Sequence, residues 1–148
     1  MIQKETILET CKELVSQRIE HAEKAMKEAQ EGSNSEEKSS AGDKYETGRA
    51  MGHLNSEMNA KQLVKAQEEL QLLKRIDIGT NPVARQGSLI ETETTLFFIG
   101  VGLGPLDIQA QTIITLSAQA PLAKLLIGKE KGAHIVINNQ THIIQNIY

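Results

Sequence analysis

The 148-residue chain carries 16 Lys and Arg against 19 Asp and Glu, one cysteine, no tryptophan and only four other aromatics, Tyr45, Phe97, Phe98 and Tyr148. That length holds one domain or two small ones and excludes a large enzyme with its own cofactor domain; no apolar run approaches the ~18 residues of a membrane span. The near-neutral balance argues against wrapping nucleic acid unaided, because neutralising phosphates needs a clustered excess of Lys and Arg.

The charge is unevenly divided: 27 of the first 78 residues are charged but only 8 of the last 70. A long, solvated, surface-rich element joined to a compact core is therefore expected, with a division into residues 1–78 and 79–148. Cys11 has no disulfide partner, and no charged n-region followed by an apolar h-region opens the chain. A reducing, cytoplasmic setting is the expectation.

From Ile2 to about Glu31 the chain is rich in Glu, Lys, Gln and Ala, without Pro or Gly, and its propensities point to helix. Leu8, Cys11, Val15, Ala22, Ala25 and Ala29 recur at helical spacings, with Leu14, Ile19 and Met26 widening the stripe. The stripe tapers to Ala beyond position 20, which would let a partner helix approach closely. Gly32 to Gly42 has no apolar periodicity and reads as a connection.

A second helix is predicted from about Asp43 to Ile78, with Met51, Leu54 and Met58 on one register and Leu63, Ala66, Leu70 and Leu73 on another. The phase slips near Asn59, as a stutter does. A short link between helices of similar length favours an antiparallel coiled-coil hairpin within one monomer; an intermolecular dimer is the alternative.

After Gly79 the composition turns to Val, Ile, Thr, Leu and Phe in short runs. Five strands are predicted: Ser88–Thr92, Thr95–Val101, Ala110–Ser117, His134–Asn138 and Thr141–Ile147. Asn138-Asn139 suits a tight hairpin turn. Pro121 to Ile127, closed by Gly128, is a two-turn helix with Pro at its first position. The class is α+β: a helical hairpin, then a small antiparallel sheet with one short helix.

Four histidines (His21, His53, His134, His142) are scattered, and none pairs with another His or with Cys at the spacing of a zinc site. Cys11 sits on the apolar stripe without an activating His and reads as a core thiol. Gly100-Val-Gly102-Leu-Gly104 is not followed by a helix, which a phosphate loop requires, and reads as a strand end and turn.

The remaining cluster is acidic. Glu28, Glu31, Glu36, Glu37, Asp43 and Glu46 face only Lys38 and Lys44 in that span. Asp43 and Glu46 are three apart at the start of the second helix, hence on one face. Two carboxylates so placed can share a divalent cation that prefers oxygen ligands. Equally, Ser40 and Asp43 fit a capping box, and acids in a first turn favour the helix dipole.

Three segments carry a resemblance. Ala120-Pro-Leu-Ala-Lys-Leu-Leu-Ile-Gly-Lys-Glu-Lys-Gly132 closely resembles the C-terminal signature of the bacterial Gre transcript-cleavage factors. Gly87-Ser88-Leu-Ile-Glu is similar to the start of that domain's first strand, and Gly42-Asp43-Lys-Tyr-Glu46 to the Gly-Asp-x-x-Glu at the family's coiled-coil tip.

The resemblance implies an N-terminal antiparallel coiled coil with an acidic tip at about 32–46, and a C-terminal FKBP-like domain. It implies RNA polymerase as partner: the rod enters the secondary channel, and nucleic acid is met only through the elongation complex. Asp43 and Glu46 would then organise Mg²⁺ in trans at the polymerase active site, with no cofactor held alone, while Gln119, Ala120 and Pro121 form the docking turn.

The chain would be an elongation factor that stimulates cleavage of backtracked RNA, not an enzyme by itself. Two departures stand out. Thr47-Gly48-Arg49-Ala50 replaces the family's Asn-Ala-Glu-Tyr, and Gln119-Ala120 stands where Asp or Asn followed by Ser is usual. A channel-binding regulator without cleavage is the alternative; a prolyl isomerase would follow from the FKBP-like fold alone.

Overall fold

The computed structural model describes the backbone of residues 2–37 and 42–148 and the side chains of residues 2–31 and 57–148. In chain order it has helices α1 (Lys4–Glu37) and α2 (Gly42–Arg75), then strands β1 (Leu89–Thr92), β2 (Leu96–Gly100), β3 (Gly104–Ile108) and β4 (Gln111–Ser117). Helix α3 (Pro121–Leu126) and strands β5 (His134–Ile137) and β6 (Gln140–Ile147) complete it. The class is α+β, as the residue pattern indicates. Two compact units divide the chain, Glu13–Gln71 and the combination of Met1–Lys12 with Leu72–Tyr148.

Both long helices have 34 residues. Helix α1 continues through Gly32 to Glu37 rather than stopping near Glu31; one glycine costs a helix only about 1 kcal/mol relative to alanine. Helix α2 ends at Arg75, before the expected Ile78. There the Asp77 carboxylate accepts the Gly79 N–H at 2.8 Å, a local alternative to another helical turn. The start of α1 (to Lys12) and the end of α2 (from Leu72) fall in one unit and the stretch between them in the other, so the two helices run antiparallel.

Burial follows the predicted stripe. Leu8, Cys11, Val15 and Ala22 of that stripe are buried on α1, together with Ile7, which was not predicted, and Ala66 and Leu73, seven apart, are buried on α2. Met58 departs from expectation and is exposed, as is Val64; the register that buries Ala66 and Leu73 leaves them on another face.

The sheet has six strands in the order β3-β4-β2-β1-β6-β5. The expected five strands are present, with bounds shifted by a residue, and β3 is additional. The expected all-antiparallel sheet is corrected to a mixed one: four neighbouring pairs are antiparallel, but β2 and β4 are parallel from Leu96↔Ile113 to Gly100↔Ser117. The cause is β3. It reverses direction after Gly100, then hairpins into β4 through Gln109 and Ala110, both at positive φ (52° and 64°). That double reversal brings β4 back beside β2 in the same sense.

Strand β3 escaped the sequence pattern because Pro105 interrupts it and because Gln-Ala is not a turn pair. Pro is tolerated there because β3 is an edge strand, with no neighbour to receive an N–H. The β5–β6 turn is the one predicted, with Asn138 and Asn139 at φ 51° and 65°.

The sheet's two faces are filled separately. On one, Ile90, Phe97, Ile99, Ile135 and Ile144 pack with Ala84 and with Ala123 and Leu126 of α3. On the other, Leu89, Phe98 and Ile113 are fully buried, and the Ile76 side chain reaches the position a β-carbon would take beside Gly100, within 3.6 Å. Ile76, the residue that follows α2, therefore belongs to this second core.

Candidate functional site

Asp43 and Glu46 fall in the first turns of α2, which begins at Gly42. A spacing of three places these two positions on one face of the helix; their side chains lie outside the described residues. They belong to the Glu13–Gln71 unit, whereas Gln119, Ala120 and Pro121 belong to the other.

The turn at 119–121 is built by Ser117, a residue that the sequence reading did not single out. Its carbonyl accepts the Ala120 N–H at 3.0 Å. Its hydroxyl donates to Gln119 Oε1 at 2.7 Å and accepts the Gln119 N–H at 3.2 Å. Ala120 then takes the extended N-cap conformation (φ −63°, ψ 143°) without a side-chain cap, and Pro121 enters α3 at its first turn. The Lys124 N–H closes the helix onto the Ala120 carbonyl at 3.0 Å.

The far end of α3 is strapped down. Gly128, at φ +88°, donates to the Ala84 carbonyl at 2.8 Å, and Ala84 donates to the Lys129 carbonyl at 2.8 Å. A rigid turn and helix thus present Gln119, Pro121, Lys124 and Leu125 to solvent, with Ala123 and Leu126 in the core. A surface so fixed can recognise a partner without losing conformational entropy on binding.

Other candidates resolve as structural features. Gly100 to Gly104 is a strand end and turn, as expected, pinned by buried Thr115: its hydroxyl donates to the Gly104 carbonyl at 2.8 Å and accepts the Leu103 N–H at 2.9 Å. Cys11 is fully buried, and burial pushes its thiol up to about 11, which keeps it out of the reactive thiolate form. Among the described residues no group of three or more His, Cys, Asp and Glu side chains is placed to hold a metal.

Phe97 and Phe98 are both buried and project to opposite faces of β2, so neither gives an aromatic lining to a shared pocket. Glu93 joins the β1–β2 turn to β6: one carboxylate oxygen accepts the Ile143 N–H at 2.9 Å, and the other lies 3.1 Å from His142 Nδ1. The Ile143 N–H, more than His142, holds the Glu93 carboxyl below the ordinary range.

No helix among the described residues is long and apolar enough to cross a membrane. No protein-family model matches the chain, and no curated protein matches it in sequence. Among solved structures, the transcription factor Gfh1 covers 93% of each chain at 16% identity with a TM-score of 0.38. GreA factor homolog 1 (Gfh1) of Thermus thermophilus covers 93% of this chain and 94% of its own at 14% identity, with a TM-score of 0.36. Likenesses this distant leave function to be argued from the residues.

Proposed function

We propose that this chain is an accessory factor of RNA polymerase, resembling the Gre transcript-cleavage factors, that stimulates hydrolysis of backtracked RNA from within the secondary channel. The observation that carries the reading is positional. The Gly-Asp-x-x-Glu of residues 42–46 opens the second of two long helices, as the family's tip motif would require. The other two matching segments support it: Gly87-Ser88 leads into β1, and residues 120–132 form the capped turn, α3 and the loop after it.

Each 34-residue helix is ~50 Å long, a length suited to reaching an active centre from the mouth of a channel. Asp43 and Glu46 offer hard carboxylate oxygens, the donor type that Mg²⁺ takes. Two such groups fall short of the six ligands the ion prefers, so they fit an ion whose remaining ligands come from polymerase. Bound there, such an ion stabilises charge on the oxygens of a phosphodiester under attack. This chain's part is delivery and orientation of the two acids, with the turn 119–121 docking outside the channel.

Two observations favour a second reading, a channel-binding regulator without cleavage. Ala120 caps α3 with no side-chain hydrogen bond, and Thr47-Gly48-Arg49-Ala50 departs from the family's pattern just after the tip acids.

Stalled, backtracked elongation complexes challenged with the wild-type protein and with Asp43→Asn and Glu46→Gln distinguish the readings. Wild type is expected to release short 3′ RNA fragments, while each variant binds equally and loses roughly 10- to 100-fold in cleavage rate. Wild-type binding without fragments establishes the regulator instead; absence of any polymerase association ends the transcription reading.

A further inference from the structure

The sheet ends at both edges in a hairpin of the same design. At one edge β3 joins β4 through Gln109 and Ala110, and at the other β5 joins β6 through Asn138 and Asn139, all four turn residues at positive φ. A two-residue turn of this kind makes the residues that flank it a hydrogen-bonded pair, and every second residue counted from there turns its N–H and C=O away from its partner strand. On β3 the outward residues are Pro105 and Asp107; on β5 they are His134 and Val136. Ile143, opposite His134, sends its N–H to Glu93 rather than to β5, which fixes the same phase.

The two edges are defended differently. Pro105 has no N–H to offer an incoming strand, and Asp107 sets a charge beside it; both devices keep an edge from pairing. Strand β5 has neither: His134-Ile-Val-Ile137 contains no Asp, Glu, Lys, Arg or Pro, and its register with β6 runs without a bulge. No strand lies beyond it in the sheet. Val136 is 59% exposed, and Ile143, on the same face of the hairpin, is 43% exposed. The undefended edge thus coincides with an exposed apolar patch.

We propose that β5 pairs antiparallel with β5 of a second copy of this chain, joining the two sheets across a two-fold axis. With Ile135 opposite Ile135 of the other copy, each His134 faces a Val136, and every outward N–H and C=O of both strands finds a partner. The smallest slip that keeps outward groups facing moves one strand by two residues and leaves His134 or Val136 without an outward partner. Charge permits this register: Lys129, Glu130 and Lys131 fall level with the uncharged Asn139, Gln140 and Thr141 of the other copy, so no like charges are opposed. It also sets the two Val136 side chains diagonally across the axis, where each shields the other from water. Pro105 and Asp107 deny the same pairing to β3, so assembly closes at two copies instead of growing edge to edge into a filament. A strand of four residues makes a small interface, and the association is weak and reversible, with Kd on the order of 0.1 mM.

The test follows the full chain by sedimentation equilibrium and by ¹H–¹⁵N spectra from about 10 μM to about 1 mM, as wild type, Val136→Lys and Val136→Pro. The two variants give β5 the kinds of protection that β3 carries, and at an outward position proline removes no hydrogen bond to β6. Wild type is expected to reach a dimer, with saturable shifts largest at the His134 and Val136 amides and with hydrogen exchange at those two amides slowed as concentration rises. Each variant is expected to weaken dimerisation by at least about tenfold, whereas Asp107→Asn, on the opposite edge, leaves it unchanged.

Wild type that stays monomeric at the highest concentration overturns the proposal, whether or not the variants fold. Dimers whose shifts are confined to α1 and α2, or that persist undiminished in folded Val136→Lys, place the contact elsewhere and overturn the β5 edge. Species larger than a dimer overturn the two-fold closure. A monomeric chain whose His134 and Val136 amides respond instead to an added extended peptide, acetyl-Glu-Thr-Val-Thr-Val-Lys amide, has an edge that receives a foreign strand, and that result overturns the second copy as its occupant.

Discussion

Gly87 and Asp77 meet so closely that a β-carbon on Gly87 would overlap the Asp77 carbonyl. Gly87 also holds φ at +96°, a region that L side chains rarely adopt. The segment leaving α2 crosses over the segment entering β1 at this point, and the Gly87 N–H donates to the Ile99 carbonyl at 2.7 Å. Gly87→Ala is expected to cost ~2 kcal/mol or more in urea unfolding. Asn tolerates positive φ but not the overlap, so Gly87→Asn should be as damaging as Ala. A markedly milder Asn variant would show that backbone conformation, rather than the close approach, is what requires glycine.

Thr115 decides whether the turn between β2 and β3 is held. It is buried, and its hydroxyl serves the Leu103 N–H and the Gly104 carbonyl together. Thr115→Val keeps the shape but removes the hydroxyl from both groups, leaving the Leu103 N–H only its bond to the Val101 carbonyl at 3.1 Å, at an expected cost of ~1 kcal/mol. Amide hydrogen exchange at Leu103 should quicken more than the global loss explains; exchange that tracks only global unfolding would argue against a local role for the hydroxyl.

Ala120 occupies an N-cap with extended backbone and no side-chain hydrogen bond. A serine there can accept an N–H of the first turn of α3, so Ala120→Ser is expected to stabilise the chain by ~0.5–1 kcal/mol. If the turn 119–121 docks on polymerase, the same change should alter polymerase affinity, measured by competition binding. Stabilisation without any change in affinity would place the docking surface elsewhere.

Glu93 gives the fold a pH dependence of definite sign. The Ile143 N–H and His142 hold its folded pKa below the unfolded value, so its contribution is complete above the unfolded carboxylate range, near ~4.3, and fades as pH falls through the lowered folded value. Glu93→Gln should therefore lie below wild type in Tm at neutral pH and converge with it in acid. A constant gap across that range would mean that the carboxylate's charge contributes nothing.

Periodicity made both long helices legible, because Leu8, Cys11 and Val15 can be buried only if positions three and four apart share a face. Pro121 and Gly128 bracketed α3 for equally local reasons, and Asn138-Asn139 announced its hairpin. Strand β3 was not legible: Pro105 and the Gln109-Ala110 turn run against local preference and are stabilised by pairing with β4 along an edge. The Gly-Asp-x-x-Glu of residues 42–46 was visible as a motif, whereas the role of Ser117 in shaping the turn at 119–121 needed the distances around its hydroxyl.

By itself, the sequence determined what nearest neighbours control: helix, strand and turn, the uneven division of charge, and the two acids that open the second helix. Tertiary structure alone decided what depends on residues far apart in the chain. It made β4 parallel to β2, pressed Asp77 onto Gly87, and buried Lys4 without a counter-ion at the start of α1. The physical reason is range: propensity and periodicity act over a few residues, whereas desolvation and steric exclusion act on whatever the folded chain brings together.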